Sequence, residues 1–221
     1  MNYLSHYYCD YPESRPYYIL GTILPDLVRE IQKKKVRFVA DELQHAENEI
    51  AEQLNAGICR HLEIDVLFHQ STFFHEKCAL IKNWMRKHQY SSISRLHIFA
   101  HVLLELMIDR VIINKNRKVM TDFYNALDIV EKQPIIDYFT SNGIISRPEA
   151  VFHRVQYFCK DRFLFRYPDN DMMIYALNVL NQKVGNSVIL KEDEMRLLET
   201  IHLTEEDLMS DKLTIFDELR P

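Results

Sequence analysis

The chain has 221 residues, 47% of them hydrophobic, and a formal net charge of −5. That length supports one well-buried core, and with no low-complexity linker in the sequence a single helical domain over 1–221 is expected. The acidic balance argues against a general nucleic-acid binder, and no apolar run approaches the ~20 residues that stable membrane insertion requires.

Only four glycines occur, and long prolineless segments rich in Leu, Ile, Glu, Lys and Met suit helices better than sheets. The expected class is all-α, a multi-helix bundle. Cys9, Cys59, Cys78 and Cys159 form no CxxC pair and read as reduced core thiols. The N-terminus lacks the basic-then-apolar pattern of a signal peptide, so a cytoplasmic protein is expected.

In chain order, MNYLSHYYCDYP reads as a short helix that holds His6 against the core, with Ser14 a candidate N-cap for the next element. YYILGTILPDLVREI should be a helix approached closely at Gly21 and kinked or restarted at Pro25, beside which lies Asp26. Lys33, Lys34, Lys35 and Arg37 form a basic cluster, either a solvated helix end or a docking patch for an anionic partner. From Phe38 to Asn55 an amphipathic surface helix carrying His45 is expected, ending at Asn55 and Gly57.

GICRHLEIDVLFH follows, and as a helix it aligns His61, Asp65 and His69 at i, i+4 and i+8, each turned only ~40° from the last. Its other sides carry Ile58, Leu62, Ile64, Val66, Leu67 and Phe68, so the helix should be largely buried. A core helix is expected over 70–87. Ser91 and Ser92 are candidate caps for a long helix with a second polar stripe, His97, His101, Glu105 and Asp109. Further helices are expected at 120–131, 134–141, 148–165, 170–184, 190–199 and 204–219. Arg166 and Tyr167 precede a helix capped by Asp169 or Asn170, a setting that is either ordinary punctuation or an anion site.

Imidazole and carboxylate at helical i, i+4 spacing are a ligand set for Mn2+, Mg2+, Zn2+ or Fe2+. One such pair is more often a hydrogen-bonded core feature. Two stripes on two apolar helices, with His6 and Asp26 on two others, favour a metal centre.

The sequence resembles the acyl carrier protein phosphodiesterases, distant relatives of the HD-type metal-dependent phosphohydrolases. MNYLSH is similar to the family's Met-Asn-aromatic-Leu-Ala-His start, LGTILPDLVR to its Leu-Gly-Asn-Leu-Leu-Ala-Asp-Phe segment, GICRHLEIDVLFH to its Gly-Ile-x-x-His-Arg-x-Ile-Asp-x-Phe-Thr-Asp block, and RYPDNDMMIYALNVL to its Arg-Tyr-x-x-Met-Asp segment. The resemblance implies an HD-like helical fold and hydrolysis of the phosphopantetheine arm from holo-acyl carrier protein. It supports His6, Asp26, His61 and Asp65 as metal or catalytic residues. Two departures stand out: His69 replaces a carboxylate, and Glu105-Leu106 replaces the family's Asp-His pair.

The expected centre therefore draws its metal ligands from His6, Asp26, His61, Asp65, His69 and His101. Asp65 counts among both the ligands and the catalytic residues, Asp109 or Glu105 would orient water if not used as a ligand, and Arg166 would hold phosphate. Mn2+ or Mg2+ is the expected cofactor, with Zn2+ or Fe2+ as alternatives. The basic clusters at 33–37 and 110–118 would meet an acidic carrier protein. Another metal hydrolase, resembling the zinc-dependent phospholipase C group, and a non-catalytic binding protein with structural stripes are the alternatives.

Overall fold

The computed structural model describes residues 1–31, 38–39, 43, 46, 48–183, 185 and 187–220. The chain is all-α, with no strand among the described residues. In order the helices are α1 (Tyr3–Cys9), α2 (Pro16–Gly21), α3 (Leu24–Ile31), α4 (Glu49–Gln70), α5 (Thr72–His88), α6 (Leu96–Lys115), α7 (Arg117–Asp128), α8 (Lys132–Asn142), α9 (Pro148–Asp161), α10 (Asn170–Lys183), α11 (Lys191–Asp211) and α12 (Ile215–Leu219), with a 3-10 turn at Phe163–Arg166 between α9 and α10. They fall into two compact units.

One unit comprises Met1–Ser5, Leu67–Arg117 and Leu164–Pro221. Its centre is α6, which buries Phe99, Leu103, Leu104, Met107, Ile108 and Val111 against α5, α10 and α11. Each such side chain contributes ~1.5–3 kcal/mol on burial, so this helix organises the unit. Two buried polar groups tie its ends. Asp193, in the first turn of α11, accepts the backbone N–H groups of Ser91 and Ser92 and the Ser92 hydroxyl. Burial would raise its pKa, but these bonds, chiefly from Ser92, hold it below the ordinary carboxylate range. Asp109 accepts the N–H groups of Leu4 (3.1 Å) and Ser5 (2.7 Å) and the amide of Asn2 (2.8 Å), satisfying the open donors of the α1 N-terminus.

The other unit comprises His6–Val66 and Lys118–Phe163. Here α8 packs on α9, α9 on α3, and α2 against α4. The α2–α4 crossing is a glycine contact. A Cβ on Gly21 would meet the Leu54 carbonyl oxygen at 2.6 Å, and one on Gly57 would meet the Tyr18 carbonyl oxygen at 2.1 Å. The break expected at Pro25 is present: α2 ends at Gly21 and α3 starts at Leu24, with Pro25 in the first turn where its missing N–H costs nothing.

Several element boundaries differ from expectation, each for a local reason. α4 runs through Asn55 and Gly57 instead of stopping there. Asn55 donates to the Leu43 carbonyl and accepts the Tyr138 hydroxyl, and Gly57 is a packing contact, so neither terminates the helix. The segments 190–199 and 204–219 join as α11 up to Asp211, with Thr200 and Thr204 buried inside the helix and their hydroxyls satisfied by the carbonyls of Arg196 and Thr200. Ser14 does not cap α2: Arg15 is at the N-cap position, and Glu13 accepts the N–H groups of Ser14 and Arg15. Ser91 and Ser92 do not cap α6, which begins at Leu96, since they are engaged by Asp193. The basic cluster at 33–37, His45 and most of the segment from 38 to 48 lie outside the described residues.

Candidate metal centre

His6, Asp26 and His61 come together from α1, the first turn of α3 and the middle of α4. One ligand atom from each lies within 4.8 Å of the other two. His6 and His61 are fully buried, with their rings stacked at a centroid distance of 4.0 Å and an interplanar angle of 23°. Asp26 retains partial exposure and pairs with Arg29 at 3.2 Å.

The break between α2 and α3 orients His61. Its Nδ1 lies 2.8 Å from the Thr22 carbonyl oxygen. A carbonyl only accepts, so Nδ1 carries the proton and Nε2 presents a lone pair. This is the arrangement by which backbone carbonyls set metal-binding histidines. Burial pushes the His61 pKa down, against the pull of Asp26, so the ring is neutral at pH 7 and ready to coordinate. Burial likewise pushes Asp26 up, opposed by His61 and Arg29. Asp65, one turn after His61 and half-buried, raises the pKa of both Asp26 and His61 through its charge, which places it electrostatically beside the cluster.

The donor set fits a divalent ion: two imidazoles, at least one neutral, and a carboxylate whose charged form is penalised by burial, a penalty that the largely exposed Arg29 offsets only in part. An ion there would relieve that penalty on Asp26.

The second expected stripe divides. His69 at the end of α4, with His101 and Glu105 on α6, forms another three-residue group, in the unit containing α6. His69 Nε2 is 3.0 Å from His101 Nε2, His101 Nε2 is 3.0 Å from Glu105 Oε1, and His69 Nε2 is 3.4 Å from the same oxygen. Burial would raise Glu105, but the Met1 amino group at 3.1 Å and the hydrogen bonds of His101 and His69 hold it well below the ordinary range. Cys78 is near enough to feel the Glu105 charge; burial first and that charge second push its thiol up to about 12, so it stays protonated.

Other expected site residues stand elsewhere. His97 is exposed in the first turn of α6. Asp109 is fully buried and occupied by the N-terminus of α1. Arg166 is exposed on the 3-10 turn, while its neighbour Tyr167 is buried and takes a hydrogen bond from Asn2. Arg110, expected in a surface docking cluster, is instead buried, bonded to Asn170 at 2.8 Å and Glu205 at 2.9 Å. Leu106 is a core residue. Two participants carry no sequence signal. The Thr22 carbonyl acts through its backbone, and Phe74, whose ring meets both His69 and His101 edge-on, reads as ordinary core. Neither a protein-family model, nor a curated protein, nor a solved structure matches the chain.

Proposed function

We propose that the chain is a metal-dependent phosphodiester hydrolase acting on acyl carrier protein, releasing its phosphopantetheine arm. The observation that carries this reading is the convergence of His6, Asp26 and His61 from three helices far apart in sequence, with His61 set by the Thr22 carbonyl. The motifs that resemble the phosphodiesterases, MNYLSH, LGTILPDLVR and GICRHLEIDVLFH, each contribute one of these residues. The resemblance favours Mn2+ or Mg2+, but two imidazoles with one carboxylate suit Mn2+, Zn2+ or Fe2+ better than the oxygen-preferring Mg2+.

When bound, a divalent ion lowers the pKa of a coordinated water and neutralises charge on phosphoryl oxygens. His6 and His61 would hold it through ring nitrogens and Asp26 through its carboxylate. As water attacks phosphorus and the P–O bond to the carrier side chain breaks, Asp65 would take the water's proton and the leaving oxygen would take one from solvent. The partial exposure of Asp65 and its charge beside His61 suit this role.

The test is hydrolysis of holo-acyl carrier protein and of a chromogenic phosphodiester, with Mn2+, Mg2+ or Zn2+ added to chelator-treated protein. Metal-stimulated phosphopantetheine release, reduced ~10²–10⁴-fold in Asp65→Asn, is expected. Turnover of a lipid phosphodiester but not of the carrier protein would move the substrate to phospholipids. No metal-stimulated hydrolysis of any of them would overturn the proposal.

Asp26→Asn separates stability from metal binding. Because burial raises the Asp26 pKa above its ordinary 3.8, the stability linked to its neutral form is fully present below 3.8 and is lost as pH rises through the raised value. Asparagine cannot ionise. The metal-free variant should melt at a higher temperature than wild type at pH 7, while losing metal-induced stabilisation. Its partner Arg29 is mostly exposed, so the lost ion pair offsets little of the gain. Differential scanning fluorimetry with and without Mn2+ reads both effects, and a lowered melting temperature for the metal-free variant would contradict the assignment.

A further inference from the structure

The triangle His69, His101 and Glu105 carries a second conclusion, independent of the hydrolase reading. Its three ligand atoms stand 3.0, 3.0 and 3.4 Å apart, and all three approach one another from two helices, α4 and α6. Hydrogen bonding alone serves this arrangement poorly. If both imidazoles donate from Nε2 to Glu105 Oε1, two N–H groups face each other at 3.0 Å; if one accepts from the other, its own bond to the carboxylate is lost. The Met1 amino group, 3.1 Å from the same Glu105 oxygen, compensates the carboxylate but does nothing for the two facing Nε2 atoms, which a cation at the centre would satisfy together with Glu105.

The dimensions agree. Metal–nitrogen bonds of about 2.0–2.1 Å place neighbouring ligand atoms ~3.0 Å apart at octahedral angles and ~3.4 Å apart at tetrahedral angles, the range seen here. Two imidazoles with one carboxylate select a borderline first-row ion over Mg2+ or Ca2+, which prefer all-oxygen sets. The triangle is also reachable. The side chains of His69, His101 and Glu105 are 29%, 38% and 19% exposed, which leaves room for water to complete the coordination. Phe74 packs edge-on against both rings, at 4.9 and 5.0 Å, and fixes their orientation without offering a competing polar group. Phe68 in turn packs on Phe74.

We infer that His69, His101 and Glu105 bind a transition-metal ion of the zinc–iron class in an open site with at least one water ligand, separately from any ion held by His6, Asp26 and His61.

Zinc titration of chelator-treated protein by calorimetry tests this, with Co2+ as a spectroscopic probe. Wild-type protein is expected to take up two equivalents of zinc. His101→Ala and His69→Ala, both at partly exposed positions, should each lose one equivalent or bind it more than ~100-fold more weakly, since even outer partners of a metal ligand are worth ~10–100-fold. His61→Ala should retain the site, and in that background Co2+ should still give a visible absorption band that His101→Ala removes. Excess Mg2+ should not displace the zinc. The inference is overturned if His69→Ala and His101→Ala both titrate as wild type, or if the cobalt band of the His61→Ala protein survives His101→Ala. Zinc uptake by a protein without phosphodiesterase activity would refute the hydrolase proposal and leave this one standing. Metal-dependent hydrolysis with zinc uptake unaffected by His69 and His101 would do the reverse.

Discussion

Gly57→Ala is expected to leave little folded protein, the largest effect of an added methyl group among the four glycines. A Cβ at Gly57 would stand 2.1 Å from the Tyr18 carbonyl oxygen and 2.8 Å from the Gly21 Cα, and one at Gly21 would stand 2.9 Å from the Gly57 Cα. All of these are backbone atoms, so no rotamer change relieves the overlap and the helices must part. Leu20, Leu54 and Ile58, all fully buried in the same unit, neighbour the two glycines in sequence and would lose packing with the separation. Alanine gains only ~1 kcal/mol over glycine in a helix interior. Overpacking against backbone costs more than ~4 kcal/mol, a large share of a total stability of ~5–15 kcal/mol.

The site should go with the fold. Thr22 follows Gly21 directly and His61 is one turn beyond Gly57, so the 2.8 Å bond between them depends on this crossing. Gly143→Ala is the control: it has a positive φ of +61° but open space around it, and should cost only ~1 kcal/mol. Urea denaturation followed by circular dichroism measures both. A Gly57→Ala midpoint close to wild type would mean that α2 and α4 do not meet through these glycines.

The same pair of glycines shows what could be read from sequence. Close approach at Gly21 was legible because glycine inside an apolar helical pattern has few other uses. Gly57 is just as telling, but it follows Asn55, and Asn-x-Gly after an amphipathic run has the composition of a helix end. Only the partner that fills the space above Gly57 distinguishes contact from cap, and that partner is 36 residues away. The all-α class and the positions of most helices followed from periodicity, since that signal is local. Caps were less legible: the carboxylates that hold the loop before α6 and the start of α1, Asp193 and Asp109, are roughly a hundred residues from the groups they bind.

The site divides in the same way. The spacing of His61, Asp65 and His69 suggests one stripe, but helix geometry fixes only which residues share a face and not which neighbours those residues meet. His61 joins His6 and Asp26, whereas His69 joins His101 and Glu105. Apolar surroundings made Asp109 resemble a fourth member of the second stripe. Its position on α6 is as expected, but its carboxylate is occupied by three N–H donors, a pairing with α1 that α6 alone does not reveal.

That pairing makes Asp109→Ala the second large effect. Removing the carboxylate leaves the Leu4 and Ser5 N–H groups without their acceptor, in a place where Asp109, Leu4 and Ser5 are fully buried, while the half-buried Asn2 amide keeps its bond to the Tyr167 hydroxyl. At ~1–3 kcal/mol for each of these two buried donors left unsatisfied, the loss is ~2–6 kcal/mol. Asp109→Asn keeps the volume and one acceptor but turns an NH2 toward a donor, so an intermediate loss is expected. The pH dependence separates the two contributions of this group. Burial pushes the Asp109 pKa from its ordinary 3.8 up to about 7, against the bonds from Ser5 and Leu4. A raised folded pKa means that the folded state holds a proton the unfolded state has released. The linked stability is fully present below 3.8 and is lost as pH rises through about 7. Wild-type stability, measured by urea denaturation between pH 5 and pH 8, should therefore show a downward slope from this group that Asp109→Asn lacks. The buried His61 contributes the opposite slope below its ordinary 6.5, where its unfolded form gains a proton first, and that part should persist in the variant. Identical pH profiles for Asp109→Asn and wild type would show that Asp109 keeps its charge throughout and anchors α1 as a permanent carboxylate. The first turn of α1, which leads directly into His6, would then be held by three charge-assisted bonds at every pH where the protein is folded.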